Sequence, residues 1–321
     1  MEASFENTVT EERVVNSTFF DKTDTSTIRK GKMIEGVTLA AVILIVLVIA
    51  IILGIIVYNG WSTFSWEFIS SFPTDGMTKG GIFPAIMGTF ILVVLMSLAA
   101  VPFGTITALY LTEYARENSK IAAAVRFSIR TLAVVPSIIF GLFGLGFFVH
   151  FMGGGMDNVF NGGQLRWGQP NILWASLTMG LLTLPVIIVS VEEALKTVPR
   201  ELREASLALG ATKWQTIWKV VLPEAISGIM TGTILAVSRG AGEVAPILFT
   251  GAAYYLATLP SSLSDQFMNL GYHVYIMSTQ SADVEGTMPI QFATTLVLLL
   301  LTISLNIVAV VIRSRIRSKK N

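Results

Sequence analysis

The chain has 321 residues, of which 53% are hydrophobic and only 13% are charged, with a formal net charge of +1 and a mean hydropathy of +0.68. Soluble domains carry about 25% charged residues, so these proportions exclude an ordinary soluble protein and imply a polytopic membrane protein. There is no cysteine, which removes disulfides, thiolate metal sites and thiol nucleophiles from consideration.

Residues 1–33 are polar, threonine-rich and acidic, and close on Arg29, Lys30 and Lys32. They lack the compact basic, apolar and small-residue order of a cleaved signal peptide, so they are expected to form a disordered cytoplasmic tail ahead of a retained span. Apolar runs then follow at 34–58, 82–112, 131–151, 172–191, 225–250 and 291–312. Each is long enough to cross a bilayer as a helix, giving an all-α integral membrane protein with six transmembrane helices. Residues 34–315 are expected to be one membrane domain, with a basic tail at 316–321.

Lysine and arginine collect in alternate connections. Arg116, Lys120, Arg126 and Arg130 lie between spans two and three; Lys196, Arg200, Arg203, Lys213 and Lys219 lie between four and five; Arg313, Arg315, Arg317, Lys319 and Lys320 follow the last. The other connections hold only Lys79 and Arg166. The positive-inside rule therefore predicts cytoplasmic termini. Trp61, Trp66, Trp167 and Trp174 fall at the predicted outer ends of spans, where amphipathic rings favour the headgroup level. The semi-apolar connection 251–290 is expected to include a short helix lying along the outer surface. His150 and His273 are read as satisfied residues at the ends of apolar segments.

The connection 192–224 is punctuated specifically. Thr197 and Pro199 supply a helix start, and Gly210 can adopt a left-handed cap after a short helix carrying Glu204 and Ala205. Thr212 with Gln215 makes a capping box that opens a second helix. Trp214, Ile217, Trp218 and Val221 share one face of it, and Pro223 is expected to end it before the fifth span. Periodicity alone leaves open whether this helix pair rests on its own bundle or docks a partner.

The fifth span contains "SRGAGEVAP", Ser238 to Pro246. A charge at mid-membrane costs about 2.5–3.5 kcal/mol on insertion scales, and is tolerated mainly facing a bundle interior or a watery cavity. On a continuous helix Arg239 and Glu243 stand at i and i+4, so they can pair. Two readings follow: an intrahelical ion pair that fixes packing, or an anion site in which the planar guanidinium grips an oxyanion. Gly228 and Gly232 form a GxxxG face upstream, a motif that more often means close packing.

The order "EASLALG", nine residues, "VVLP" places Glu204, Ala205, Gly210, Val220, Leu222 and Pro223 on the signature of ABC-importer permeases, with Ser206 replacing an alanine and Val220 an isoleucine. "SRGAGEVAPILFTGAAYY", with Val244 where threonine is common, and "LAVVPSIIFGLFGLGFF" resemble the PstA-type permease subunits of bacterial phosphate importers. The resemblance covers about 34–315 and implies a type I ABC-importer permease fold in the bacterial cytoplasmic membrane. It implies a PstC-type permease partner, a PstB-type ATPase dimer holding ATP and magnesium, and a PstS-type external phosphate-binding protein. This chain has no nucleotide-binding loop of its own, and no cofactor, metal, catalytic or nucleic-acid site is expected. On this resemblance Glu204, Ala205, Gly210, Leu222 and Pro223 couple to the ATPase, and Arg239 with Glu243 lines the substrate path. Arg200 is a weaker contact candidate, and Pro136 and Gly141 would bend the third span. Permeases for molybdate, sulfate or amino acids remain rivals, as do a channel, a secondary transporter and a membrane enzyme.

Overall fold

A computed structural model describes residues 25–77, 79–116, 118–281 and 283–318. Residues 1–24 of the expected tail and 319–321 of the basic terminus lie outside the described residues. The chain divides into two compact units, 1–55 and 56–321. Helix α1, Thr25–Gly60, supplies the described part of the first.

Six helices among the described residues are long and apolar enough to span a membrane: Arg29–Gly60, Phe83–Tyr114, Ser137–Phe160, Ile172–Lys196, Lys213–Ala241 and Met288–Arg315. After α1 the chain makes a short helix α2, Trp66–Ser70, capped by the Ser65 hydroxyl, and a two-residue hairpin of β1, Pro73–Thr74, with β2, Lys79–Gly80. The second span is α3, Phe83–Leu109, extended by a wide π-type turn, Tyr110–Tyr114. The fourth, α7, Ile172–Lys196, is the centre of its unit: 61% of its most apolar window is buried, against 11–33% in the other four spans there.

Three span boundaries differ from expectation. The third span does not begin at 131. A separate amphipathic helix, α4, Lys120–Leu132, is capped by Ser119 and buries Ala122 and Ile129. The chain then turns, and Pro136 drives the backbone extended (φ −56, ψ 137) before the span opens as α5, Ser137–Phe143. Proline disfavours helix in the residue before it, so Val135 cannot carry α4 into the span. A second π-type turn, Gly144–Gly153, leads into α6, Gly154–Phe160.

The fifth span also begins earlier than 225, because Pro223 does not end the preceding helix. Helix α9, Lys213–Thr216, passes through a third π-type turn, Ile217–Val221, into α10, Leu222–Ala241. Proline removes a donor and crowds the carbonyl four residues back. The wider turn just ahead of it takes up that mismatch, so the helix continues.

At its far end α10 stops at Ala241 instead of running to 250. Gly240 and Gly242 are poor helix formers, and Pro246 opposes helix at Ala245. A short helix α11, Ile247–Thr250, follows. The connection beyond it contains α12, Leu270–Thr279, capped by Asn269. This helix does not lie on the surface: Leu270, His273, Ile276 and Met277 are buried, and it packs on α3 and on the sixth span, α13, Met288–Ser318. The Leu270 amide donates to the buried Thr89 hydroxyl at 2.9 Å.

The GxxxG face is a packing face. A side chain on Gly228 would meet Ala194 Cβ at 2.7 Å, and one on Gly232 would run into Ser190. These glycines let α10 lie against α7.

Candidate functional site

Arg239 occupies the last turn of α10, and Glu243 lies past its end, its amide donating to the Gly240 carbonyl at 3.1 Å. The two charges thus face each other across a helix terminus rather than along a continuous helix. A cation there meets the negative end of the helix dipole, which partly offsets its cost. Arg239 Nε is 4.0 Å from Glu243 Oε1, with the side chains 72% and 26% exposed. Four ångströms is the outer limit of an ion contact, so Glu243 leaves the guanidinium donors largely uncommitted.

Both side chains line a cavity of about 270 Å³ together with the Val134–Ser137 turn and Leu182, Thr183 and Val186 of α7. A water molecule takes about 30 Å³ in the liquid, so several waters or one small hydrated oxyanion fit. A side chain on Gly141 would come within 2.9 Å of Pro246 Cα and 3.0 Å of Phe249 Cδ2. The two quoted stretches, far apart in sequence, therefore pack directly on each other. Pro136 stands at the entrance of the third span, not at a bend within it.

The connection 192–224 folds into a helix pair. Helix α8, Arg200–Ala208, starts after Pro199 and has no buried residue. Glu204 and Ala205 are exposed on it, as is Arg200, and Leu209 at its end is 89% exposed. Gly210 reverses the chain with φ +85, a conformation open to glycine at little cost. Thr212 and Gln215 form the reciprocal capping box. Ser206, which departs from the alanine of the signature, is used: its hydroxyl lies 2.9 Å from Thr216 Oγ1 and ties the two helices together. The expected apolar face splits at the π-type turn. Ile217 and Val221 are buried, whereas Trp214 and Trp218 pair at 5.3 Å between ring centroids and stay largely exposed. Leu222 is partly buried against the core, and Pro223 sits in the first turn of α10.

Sequence reading does not single out Asp157, and it places His273 in a different setting from the one found. Asp157, buried near the end of the third span, accepts the amides of Arg166, Trp167 and Gly168 at 2.6–3.0 Å and the Asn161 side-chain amide at 2.9 Å. It holds the following loop in place. His273, expected to be satisfied, is instead 3% exposed with no hydrogen-bond partner on either ring nitrogen among the described residues. Burial pushes its pKa down from 6.5 to about 4, so the ring is neutral.

Spans closing around a small cavity with a charge at a helix break, and an exposed helix pair facing one side, define a membrane transport permease. The chain belongs to the binding-protein-dependent transport system inner membrane component family, whose profile matches residues 100–318. It is a permease subunit of an ABC transporter and a multi-pass membrane protein. It is similar to the "Probable ABC transporter permease protein YqgI" of Bacillus subtilis, 32% identical over 73% of this chain and 79% of that protein. It resembles the phosphate transport system permease protein PstA of Haemophilus influenzae, 32% identical over 74% of this chain and 75% of that one. Against PstA 1 of Mycobacterium tuberculosis the identity is 35%, and the chain spans about half the relative's length, 56%. Among solved structures, a bacterial alginate ABC transporter matches with a TM-score of 0.63 at 16% identity, covering 88% of this chain and 94% of that one. The methionine transporter MetNI matches with a TM-score of 0.51 at 19% identity, covering 74% and 94%. These last two share the type I importer permease fold.

Proposed function

We propose that the chain is one membrane subunit of an ATP-driven importer of inorganic phosphate, working by alternating access. The observation that carries this reading is Arg239 at the break of the fifth span, its guanidinium held only loosely by Glu243 beside a cavity of oxyanion size. Arginine presents a rigid fork of N–H donors to phosphate oxygens and stays charged at any working pH. Glu243 serves as the gate of that site. Its carboxylate accepts only hydrogen bonds, so it favours an oxyanion that still carries a proton, as phosphate does near neutrality, over fully ionised sulfate.

In this reading a PstC-type permease completes the path, a PstS-type protein delivers phosphate from outside, and a PstB-type ATPase dimer binds ATP and magnesium. The lysine- and arginine-rich ends face the cytoplasm. Glu204, Ala205 and Gly210 on the exposed helix pair dock the ATPase, and Leu222 with Pro223 passes its motion into the fifth span. The names of the PstA relatives support phosphate as the substrate.

The test is uptake of labelled phosphate, with sulfate and molybdate as competitors, by the complete complex in proteoliposomes. Arg239→Gln should abolish uptake from an assembled complex, and Glu243→Gln should weaken discrimination against sulfate. Normal phosphate uptake by assembled Arg239→Gln complex would sink the anion-site reading.

A further inference from the structure

The exposed helix pair is joined to the fifth span by backbone, but that route runs through the π-type turn at Ile217–Val221. Such wide turns are rare and appear mostly as single-turn interruptions of α-helices, frequently at functional sites. A second route, made of side-chain contacts, starts at Arg203, next to Glu204 on α8. Its side chain is 19% exposed and faces the bundle. Nε and Nη2 donate to Glu113 Oε1 at 3.3 and 3.0 Å. Nη1 donates to the Val198 carbonyl at 2.5 Å and the Pro199 carbonyl at 3.3 Å, and Nη2 donates to the Leu195 carbonyl at 2.8 Å. Every nitrogen of the guanidinium is therefore engaged.

Glu113, 9% exposed, lies in the π-type turn that ends the second span. Leu195 belongs to the last turn of the fourth span, and Val198 lies two residues past its end. Arg203 thus clamps the ends of two spans to the helix that carries Glu204 and Ala205. Arg126 of α4 makes a parallel fastening: Nη2 donates to the Leu111 carbonyl at 2.7 Å and Nε to Glu192 Oε1 at 3.1 Å. Lys196 Nζ adds a contact to the same Glu192 oxygen at 3.1 Å. Spans two and four are held together at this end, and span four supplies Leu182, Thr183 and Val186 to the cavity that Arg239 also lines.

We infer that the Arg203–Glu113 pair is the joint through which the exposed helix pair moves the second and fourth spans, so that ATPase motion reaches the Arg239 cavity by a route separate from the fifth span. Arg203 and Glu113 are positioning residues for transport, and the inference rests on the reading of residues 192–224 as the ATPase-docking loop. A lysine cannot replace the arginine, because one ammonium cannot reach a carboxylate at the end of the second span and three carbonyls at and just past the end of the fourth.

The complete complex is reconstituted with Arg203→Ala, Arg203→Lys, Glu113→Gln and the Arg203→Ala/Glu113→Gln double variant. Three quantities are read: ATPase retained on purification, ATP hydrolysis with and without the external binding protein, and phosphate moved per ATP. The ATPase should stay bound, and hydrolysis should persist without responding to the binding protein. Phosphate per ATP should fall about tenfold, within the range that changes in a coupling network produce. The double variant should be no worse than the worse single one, as expected for partners in one interaction. An unchanged ratio of phosphate to ATP in assembled variants overturns the inference, as does a parallel loss of both activities at constant ratio. If Arg203→Ala fails to assemble, Arg203→Lys decides by the same ratio. Loss of the ATPase from Arg203→Lys would make the residue part of the docking surface and also overturn the joint. The docking reading has its own control: Glu204→Lys or Gly210→Pro should release the ATPase, and if neither does, that reading fails whatever Arg203 does.

Discussion

His273 gives the fold a measurable weakness toward acid. Its folded pKa, pushed down to about 4 by burial, lies below the unfolded value of 6.5, so between these limits the unfolded chain binds the extra proton. Stability is then full above the unfolded value and declines as pH falls from about 6.5 toward 4. At 1.36 kcal/mol per pH unit, the whole decline amounts to about 3 kcal/mol, of which lowering the pH from 7.5 to 5 takes about 2 kcal/mol. The neighbouring Tyr272 is pushed upward by burial and does not titrate there. The assay is thermal melting in detergent from pH 7.5 to pH 5 for the natural chain and for His273→Leu, which fills the site without a titrating group. Every other ionisable group is common to both, so the difference isolates the ring. The natural chain should lose about 2 kcal/mol more than the variant. Parallel curves for the two proteins would refute the assignment of a buried, unpartnered imidazole.

Asp157→Asn removes the charge and one acceptor from a site receiving four donors. It should loosen the loop by about 2 kcal/mol, visible as faster tryptic cleavage after Arg166 in the folded protein. Gly232→Val should drive a side chain into Ser190 and cost about 1–3 kcal/mol by overpacking, with Ser190→Gly restoring much of the loss in the double variant. Ser206→Ala should cost about 1 kcal/mol through the lost hydroxyl contact to Thr216. Its expected readout is earlier melting of the helix pair in hydrogen exchange, with the complex still assembled.

The six spans were legible because each is a continuous apolar run, and the loop turn was legible because Gly210, Thr212 and Gln215 act on their own backbone. Boundaries failed where apolarity runs across a break. Val134 and Val135 read as membrane residues although Pro136 forces a turn there, and residues 244–250 stay apolar after α10 has ended. Pro223 was misread for the opposite reason: a local rule predicts a stop, and a π-type turn five residues long absorbs it. Arg239 and Glu243 were found because charge in an apolar run is conspicuous. Glu113, Arg203, Asp157 and His273 carry no such contrast, since their roles depend on residues up to 90 positions away or on burial that only the assembled bundle creates.

The π-type turn at Ile217–Val221 also fixes an angular phase. An α-helix advances 100° per residue, and the extra residue in the turn sets which way the exposed helix pair points relative to Arg239. If this segment closed into regular α geometry at its present length, everything before it would rotate by roughly 100° about the axis. Glu204 and Ala205 would then face a different side of the bundle, and Arg203 would lose Glu113. The width of this turn is thus as constrained as the chemistry of the residues on either side of it, and a change that closes it at its present length should be worse tolerated than deletion of its extra residue, which closes the helix in phase.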